Sequence, residues 1–100
     1  MNPSAETLID RLGLEPLPGE GGYFRETYRA LDRVGEKSCS TAIYYLITPD
    51  QFSALHRLPT DEVWHFYLGD PVVQLRLTEG DGQWQELVLG QDVFAQPTQL

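Results

Sequence analysis

The stretch of residues 52–69 constrains the fold of this chain most, because it holds both histidines and one of the two tryptophans on segments whose alternate side chains would point to opposite faces of a strand. It reads as two predicted strands, 52–58 and 62–68, joined at 59–61 by proline, threonine and aspartate, which favour a turn. Such a short link predicts an antiparallel pair, whose sheet can have one polar and one apolar face. The stretch therefore predicts an antiparallel β-protein.

Side chains of contrasting chemistry share particular faces of these two predicted strands. His56 lies on one face of the first strand, and Glu62, Trp64 and Phe66 share a face of the second. If the two faces meet, an imidazole and a carboxylate stand among aromatic rings inside whatever the sheet encloses. A mostly apolar concavity with a few polar groups is typical of a ligand pocket. The sequence supports such a pocket and leaves the ligand open.

The rest of the chain adds one helix and several further strands. Residues 2–13 are predicted to form the helix, starting at Pro3 after Asn2 or capped by Ser4, because apolar residues recur at helical spacing. Residues 14–22 read as a loop and residues 30–39 as a mobile connection. Alternating or apolar segments between turn signals predict further strands at 23–29, 40–48, 72–78 and 83–89, with a short one after Gly90.

One short helix followed by six or seven antiparallel strands predicts an all-β sandwich or barrel. We expect a single domain over residues 1–100, with the β-sandwich at residues 22–100. Segment 40–48 is almost continuously apolar in its middle, which predicts a strand covered on both faces. Trp84 is a predicted packing residue of the strand that contains it.

The charge balance narrows the classes of partner. The sequence has 7 Lys and Arg against 15 Asp and Glu, a formal charge of −8, which disfavours nucleic acid and anionic membrane surfaces. No apolar run approaches the roughly 20 residues that span a bilayer. Cys39 is the single cysteine, so no internal disulfide forms, as suits a reducing compartment. We therefore expect a cytoplasmic protein that binds a small molecule and contacts neither nucleic acid nor membrane.

Three segments resemble a known family: GGYFRETYR, STAIYYLI and FSALHRLPTDEVWHFYLGDP are similar to the cupin-5 group, or DUF985, of the cupin superfamily. The resemblance runs from about Leu8 to Leu100. It implies a cupin double-stranded β-helix, the jelly-roll barrel, usually paired into a homodimer. It implies no defined activity, because the family is largely uncharacterised.

The resemblance also maps the general first cupin motif onto this chain. His56 matches its first histidine, Glu62 its glutamate and Gly69 its glycine, whereas Leu58 stands where a second histidine is usual. The second motif supplies a further histidine downstream, and we expect the jelly roll to be incomplete at the C-terminus, before that segment. Two of the four usual ligands are thus missing, and zinc or iron sites normally need three protein ligands. We expect no cofactor; a divalent metal on His56 and Glu62 is the alternative.

Three functions follow from these residues. The first is binding of an undetermined small molecule in a pocket centred on His56 and Glu62, with Trp64 and Phe66 stacking on a sugar or other flat ligand. Arg25 can bind a carboxylate or phosphate of that ligand; equally, it can form a cross-strand ion pair or lie on a solvated edge. The aromatic rings can equally be core residues.

The second function is catalytic, and the third is structural. Cupins similar to the sugar-nucleotide epimerases use a pocket histidine as base. By analogy with those cupins, the second possibility is a metal-free isomerase or epimerase acting on a sugar or sugar nucleotide, with His56 as base and Glu62 as its partner. The third possibility is an incomplete half-barrel without activity. Whether the chain catalyses any reaction stays open at this point.

Overall fold

The computed structural model describes residues 3–54, 61–77 and 80–100. The chain forms two compact units, essentially Pro3–Arg57 and Leu58–Leu100. Its elements are the helix α1 (Ala5–Leu12) and the strands β1 (Glu15–Pro16), β2 (Tyr23–Arg29), β3 (Arg33–Val34), β4 (Lys37–Ser38), β5 (Thr41–Leu46), β6 (Val72–Leu77) and β7 (Trp84–Leu89).

Helix α1 begins and ends at residues that satisfy its terminal backbone groups. Ser4 is the N-cap, and its Oγ accepts a hydrogen bond from the backbone N–H of Thr7 at 3.2 Å. Gly13 follows the last turn in the left-handed conformation, with φ +64°, and its N–H bonds the carbonyl of Ile9. The predicted helix is thus present with tighter bounds, and the structure selects Ser4 between the two predicted starts.

Strand β2 is the centre of a three-stranded antiparallel sheet in the order β1-β2-β5. Its register against β5 shifts between Glu26 and Tyr28, which marks a β-bulge. The predicted loop 14–22 contains the two-residue strand β1, which pairs with Tyr23 and Phe24. The loop prediction failed there because a two-residue strand has no detectable periodicity.

The predicted mobile connection at 30–39 is wrong in one respect. Strands β3 and β4 pair there as a small hairpin, Arg33 opposite Ser38 and Val34 opposite Lys37. Gly35 lies in the connecting turn with φ +66°, a conformation that favours glycine. Strands of two residues are too short to show a periodic pattern, so only the turn could have indicated them.

Strand β5 does not have the predicted cover on both faces. Its first four residues, 41–44, are exposed, and only Tyr45 and Leu46 are half-buried. In the described sheet β5 has a single partner, β2, and lies at an edge. An unbroken apolar run predicts a strand, but cover depends on elements that the run itself does not encode.

Strands β6 and β7 form a regular antiparallel hairpin in the second unit. Directly paired residues lie on the same face of a sheet, as Val73 does with Val88 and Leu77 with Trp84. Trp84 is 55% exposed, so its predicted packing role is wrong for this chain. We call this side the exposed hairpin face; its large apolar residues of exposed class are Val73, Leu75, Leu77 and Trp84.

The predicted strand 62–68 is an extended segment rather than a full strand. The backbone N–H of Trp64 donates to the carbonyl of Leu100 at 2.6 Å, and the Leu100 N–H returns the bond at 2.9 Å. Phe66 N–H donates to the carbonyl of Thr98 at 2.8 Å, and His65 and Gln99 form the antiparallel bridge. Part of the other predicted strand, residues 55–58, lies outside the described residues.

Few apolar side chains are fully buried in the described part of the chain. Leu14 in the first unit is 7% exposed and Leu89 in the second is 4% exposed. The secondary structure is nevertheless mostly strand with one short helix, as predicted for an all-β fold. No helix among the described residues is both long and apolar enough to cross a membrane.

Candidate functional site

The carboxylate of Glu62 and the indole of Trp64 are joined by a direct hydrogen bond. Trp64 Nε1–H donates to Glu62 Oε1 at 2.7 Å, a short distance that suits a charged acceptor. The two residues are two apart in an extended segment, so their side chains project to the same side. Glu62 is exposed and Trp64 is half-buried. This bond fixes the orientation of the indole ring on that side of the segment.

Backbone hydrogen bonds also fix the position of Trp64 in the chain. Both backbone groups of Trp64 bond Leu100, and Phe66 N–H bonds Thr98, so residues 64–66 are extended and tied to a second segment. Trp64 and Phe66 therefore project to one side, and both are half-buried. We call Glu62, Trp64 and Phe66 the aromatic platform: two neighbouring rings with a carboxylate at one end.

Arg25 lies in the first unit, on strand β2. Its Nη1 donates to the carbonyl of Leu12 at 3.1 Å, which satisfies one of the free carbonyl groups at the C-terminus of α1. The aliphatic part of the side chain passes Gly13, where an added Cβ would lie 3.8 Å from Arg25 Cδ. Arg25 is exposed, and its predicted ligand contact stays a prediction.

His56 lies outside the described residues. The prediction that its imidazole shares a concavity with Glu62 therefore stays a prediction. What the structure adds is a different partner for the carboxylate, the Trp64 indole. The remaining histidine, His65, is exposed and contributes its backbone to the bridge with Gln99.

The described donor groups do not fit a resident metal ion of the kind that cupins commonly hold. Across residues 3–54, 61–77 and 80–100, no three His, Cys, Asp or Glu side chains come together in a metal-binding group. The Glu62 carboxylate instead accepts the indole N–H, a bond that orients a ring. We derive no chemical step through a metal.

Two features of this site were missed by sequence reasoning. The first is the Glu62–Trp64 bond, which the spacing of two residues on one strand face could have indicated. The second is the backbone pairing with residues 98–100, a polar segment without strand periodicity. That pairing carried no local signal, because it depends on residues more than thirty positions away.

The fold and this segment define a cupin-type β-protein, and the family comparison agrees. The family model described as "Cupin superfamily (DUF985)" matches residues 6–100. The chain belongs to this DUF985 group, Cupin_5, of the cupin superfamily. The predicted family and the cupin fold class are thereby confirmed.

A solved structure provides a second comparison. The chain is similar to the X-ray crystal structure of protein SO0799 from Shewanella oneidensis, with a TM-score of 0.90 and 29% sequence identity. The match covers 99% of this chain and 63% of that protein, so this chain spans less than two thirds of the length of its structural relative. A comparison with curated proteins finds no match.

Proposed function

We propose that this chain is a cupin-fold protein that binds a small molecule on the aromatic platform. The observation that carries the proposal is the 2.7 Å bond from the Trp64 indole to the Glu62 carboxylate. A ring fixed by both its side-chain N–H and its backbone presents a pre-oriented surface, which lowers the entropy lost when a ligand stacks on it. Pre-orientation of this kind is characteristic of binding sites.

The chemistry of the platform favours a flat ring compound with polar substituents. Indole and phenyl rings bind flat or ring-shaped ligands through their faces. A carboxylate has two oxygens, and Glu62 uses one of them for Trp64, so the other can accept a hydrogen bond from the ligand. His56, six residues before Glu62, is proposed to complete the site.

Nuclear magnetic resonance of the two indole N–H groups tests this proposal. We expect ring compounds, supplied as a fragment set of aromatic and monosaccharide compounds, to shift the indole resonance of Trp64 and leave that of Trp84 unchanged. Trp84 is the matched control, because it is the other tryptophan of the chain and lies on the exposed hairpin face. Shifts at Trp84 alone, or at neither indole, would contradict the proposal.

Two variants separate the platform from the histidine. We expect Glu62→Ala to weaken binding of the same compounds, because the indole loses its anchor and the ligand loses an acceptor. His56→Ala tests whether the predicted base contributes. If both variants bind as the unchanged chain does, the site lies elsewhere.

A further inference from the structure

The two units of the chain differ sharply in charge. Residues 58–100 contain seven carboxylates and a single guanidinium, that of Arg76, hence a formal charge of −6. Residues 1–57 contain eight carboxylates and six cationic side chains, hence a formal charge of −2. The platform therefore lies in the strongly acidic part of the sequence, and the field of that part attracts cations.

The charge at the platform itself is not neutralised by an ion pair among the described residues. Glu62 accepts a neutral indole N–H, and its neighbour Asp61 adds a second exposed carboxylate. The Nε of Arg76 donates to Gln74 Oε1 at 2.8 Å, on strand β6. The ion pair found in the described part of the chain, Arg29 with Glu26, belongs to the first unit.

From this charge and geometry we infer that the platform binds a cationic ligand, an ammonium compound that contains a ring. The inference rests on the proposed function and adds the sign of the ligand's charge. A cation over the face of tryptophan is attracted by the negative face of the ring, and a nearby carboxylate adds to that attraction. Phosphate-bearing compounds such as sugar nucleotides carry the opposite charge and are repelled by Glu62 and Asp61.

Three probes with one ring and different charges test the sign of the ligand's charge: benzyltrimethylammonium, benzyl alcohol and benzylphosphonate. Trp84→Phe leaves Trp64 as the single tryptophan, so that fluorescence reports the platform alone. We expect the cation to bind at least about fivefold more tightly than the other two probes, because it gains both the ring and the carboxylate. Raising the salt from 50 to 500 mM should weaken its binding about threefold, since exposed charges are screened.

Glu62→Gln is the test of the carboxylate, and Glu86→Gln is its matched control. Glu86 is also exposed and also stands two residues from a tryptophan in an extended segment. We expect Glu62→Gln to weaken binding of the cation about two- to fivefold, because the attraction of an exposed carboxylate is lost. Glu86→Gln should leave the affinity unchanged.

The outcomes separate this inference from the proposed function. If the neutral or anionic probe binds at Trp64 as tightly as the cation, the inferred preference for a cation is wrong. The proposed binding of ring compounds on the platform would still hold. Equal losses in Glu62→Gln and Glu86→Gln would show diffuse attraction and overturn the inference. No response of Trp64 to any probe would overturn both. If Glu62→Gln fails to fold, the three probes and the salt titration on the Trp84→Phe protein still test whether the platform prefers a cation.

Discussion

At the scale of single residues, Glu62 bonds the indole of Trp64, whereas the glutamate of the general cupin motif is a metal ligand. Its carboxylate accepts the Trp64 indole at 2.7 Å, so its first effect is on the orientation of a ring. The other oxygen of this carboxylate is the acceptor that we propose for the ligand. A motif position that serves as a metal ligand in other cupins can thus anchor an aromatic residue here, because a carboxylate serves either purpose.

The structure predicts a lowered pKa for the side chain of Asp50. The Thr48 hydroxyl donates to its carboxylate and, with a backbone hydrogen bond, lowers the pKa of Asp50 below its ordinary value. A lowered pKa stabilises the fold above the unfolded-state pKa, and that contribution is lost as the pH falls through the folded-state pKa, below roughly pH 4. We expect Thr48→Val to raise the pKa of Asp50 in a carbon-13 titration.

Thr48→Ser is the control for Asp50, because it keeps the hydroxyl donor. The pKa of Asp50 should then stay low. An unchanged pKa in Thr48→Val would show that the hydroxyl is not the cause.

Gly22 is a residue at which an added methyl group would meet both backbone strain and close neighbours. Its φ is +78°, and an added Cβ would lie 2.8 Å from the Leu46 carbonyl oxygen and 2.7 Å from the Tyr45 hydroxyl. We expect Gly22→Ala to lower the free energy of unfolding by about 2–4 kcal/mol, from left-handed strain and overpacking together. Urea unfolding measures this loss.

Gly19→Ala separates strain from crowding. Gly19 has φ +81° and no atom within 4 Å of the added Cβ. Its loss should therefore be about 1–2 kcal/mol, from backbone strain alone. Equal losses at both positions would show that the close approach at Gly22 is unimportant.

At the scale of elements, the capping of α1 is the feature most open to measurement. The helix has eight residues, too few to be stable alone, so its termini matter. We expect Ser4→Ala to cost about 1 kcal/mol in the free energy of unfolding, because the backbone N–H of Thr7 loses its acceptor. Chemical denaturation followed by circular dichroism measures the change.

Ser4→Asp provides the control for the cap. Aspartate keeps an acceptor and adds a negative charge at the positive end of the helix, so stability should be retained. A loss as large as that of Ser4→Ala would argue against a capping role for the side chain.

At the scale of the whole molecule, the exposed hairpin face is an apolar surface suited to association. Leu75 at its centre is 55% exposed, and contiguous apolar patches commonly mark interaction sites. The predicted homodimer stays a prediction. We expect Leu75→Lys to reduce self-association by at least about threefold in sedimentation velocity, since burial of apolar area drives association.

Val93→Lys is the matched control for Leu75→Lys. Val93 is also exposed and apolar, lies in the same unit, and is outside the hairpin. The substitution adds the same charge, so a change in association shared by both variants would reflect net charge. An effect confined to Leu75 would support the hairpin face.

Some of this organisation could be read from residue patterns, and some could not. The helix of residues 5–12 and the strands from Val72 and Trp84 were predicted because each carries its own periodicity or cap. The hairpin β3–β4 was missed, since its strands have two residues each. The platform was predicted as a shared face, but not the bond within it.

The sequence by itself determined the strand-rich class, the family, and the side of the segment on which Glu62, Trp64 and Phe66 lie. These follow from local spacing, which fixes side-chain direction along an extended chain. Only the tertiary structure decided that Trp64 pairs with Leu100, that Arg25 bonds the end of α1, and that β5 and Trp84 are exposed. Those outcomes depend on contacts between residues distant in sequence, and local periodicity does not encode such contacts.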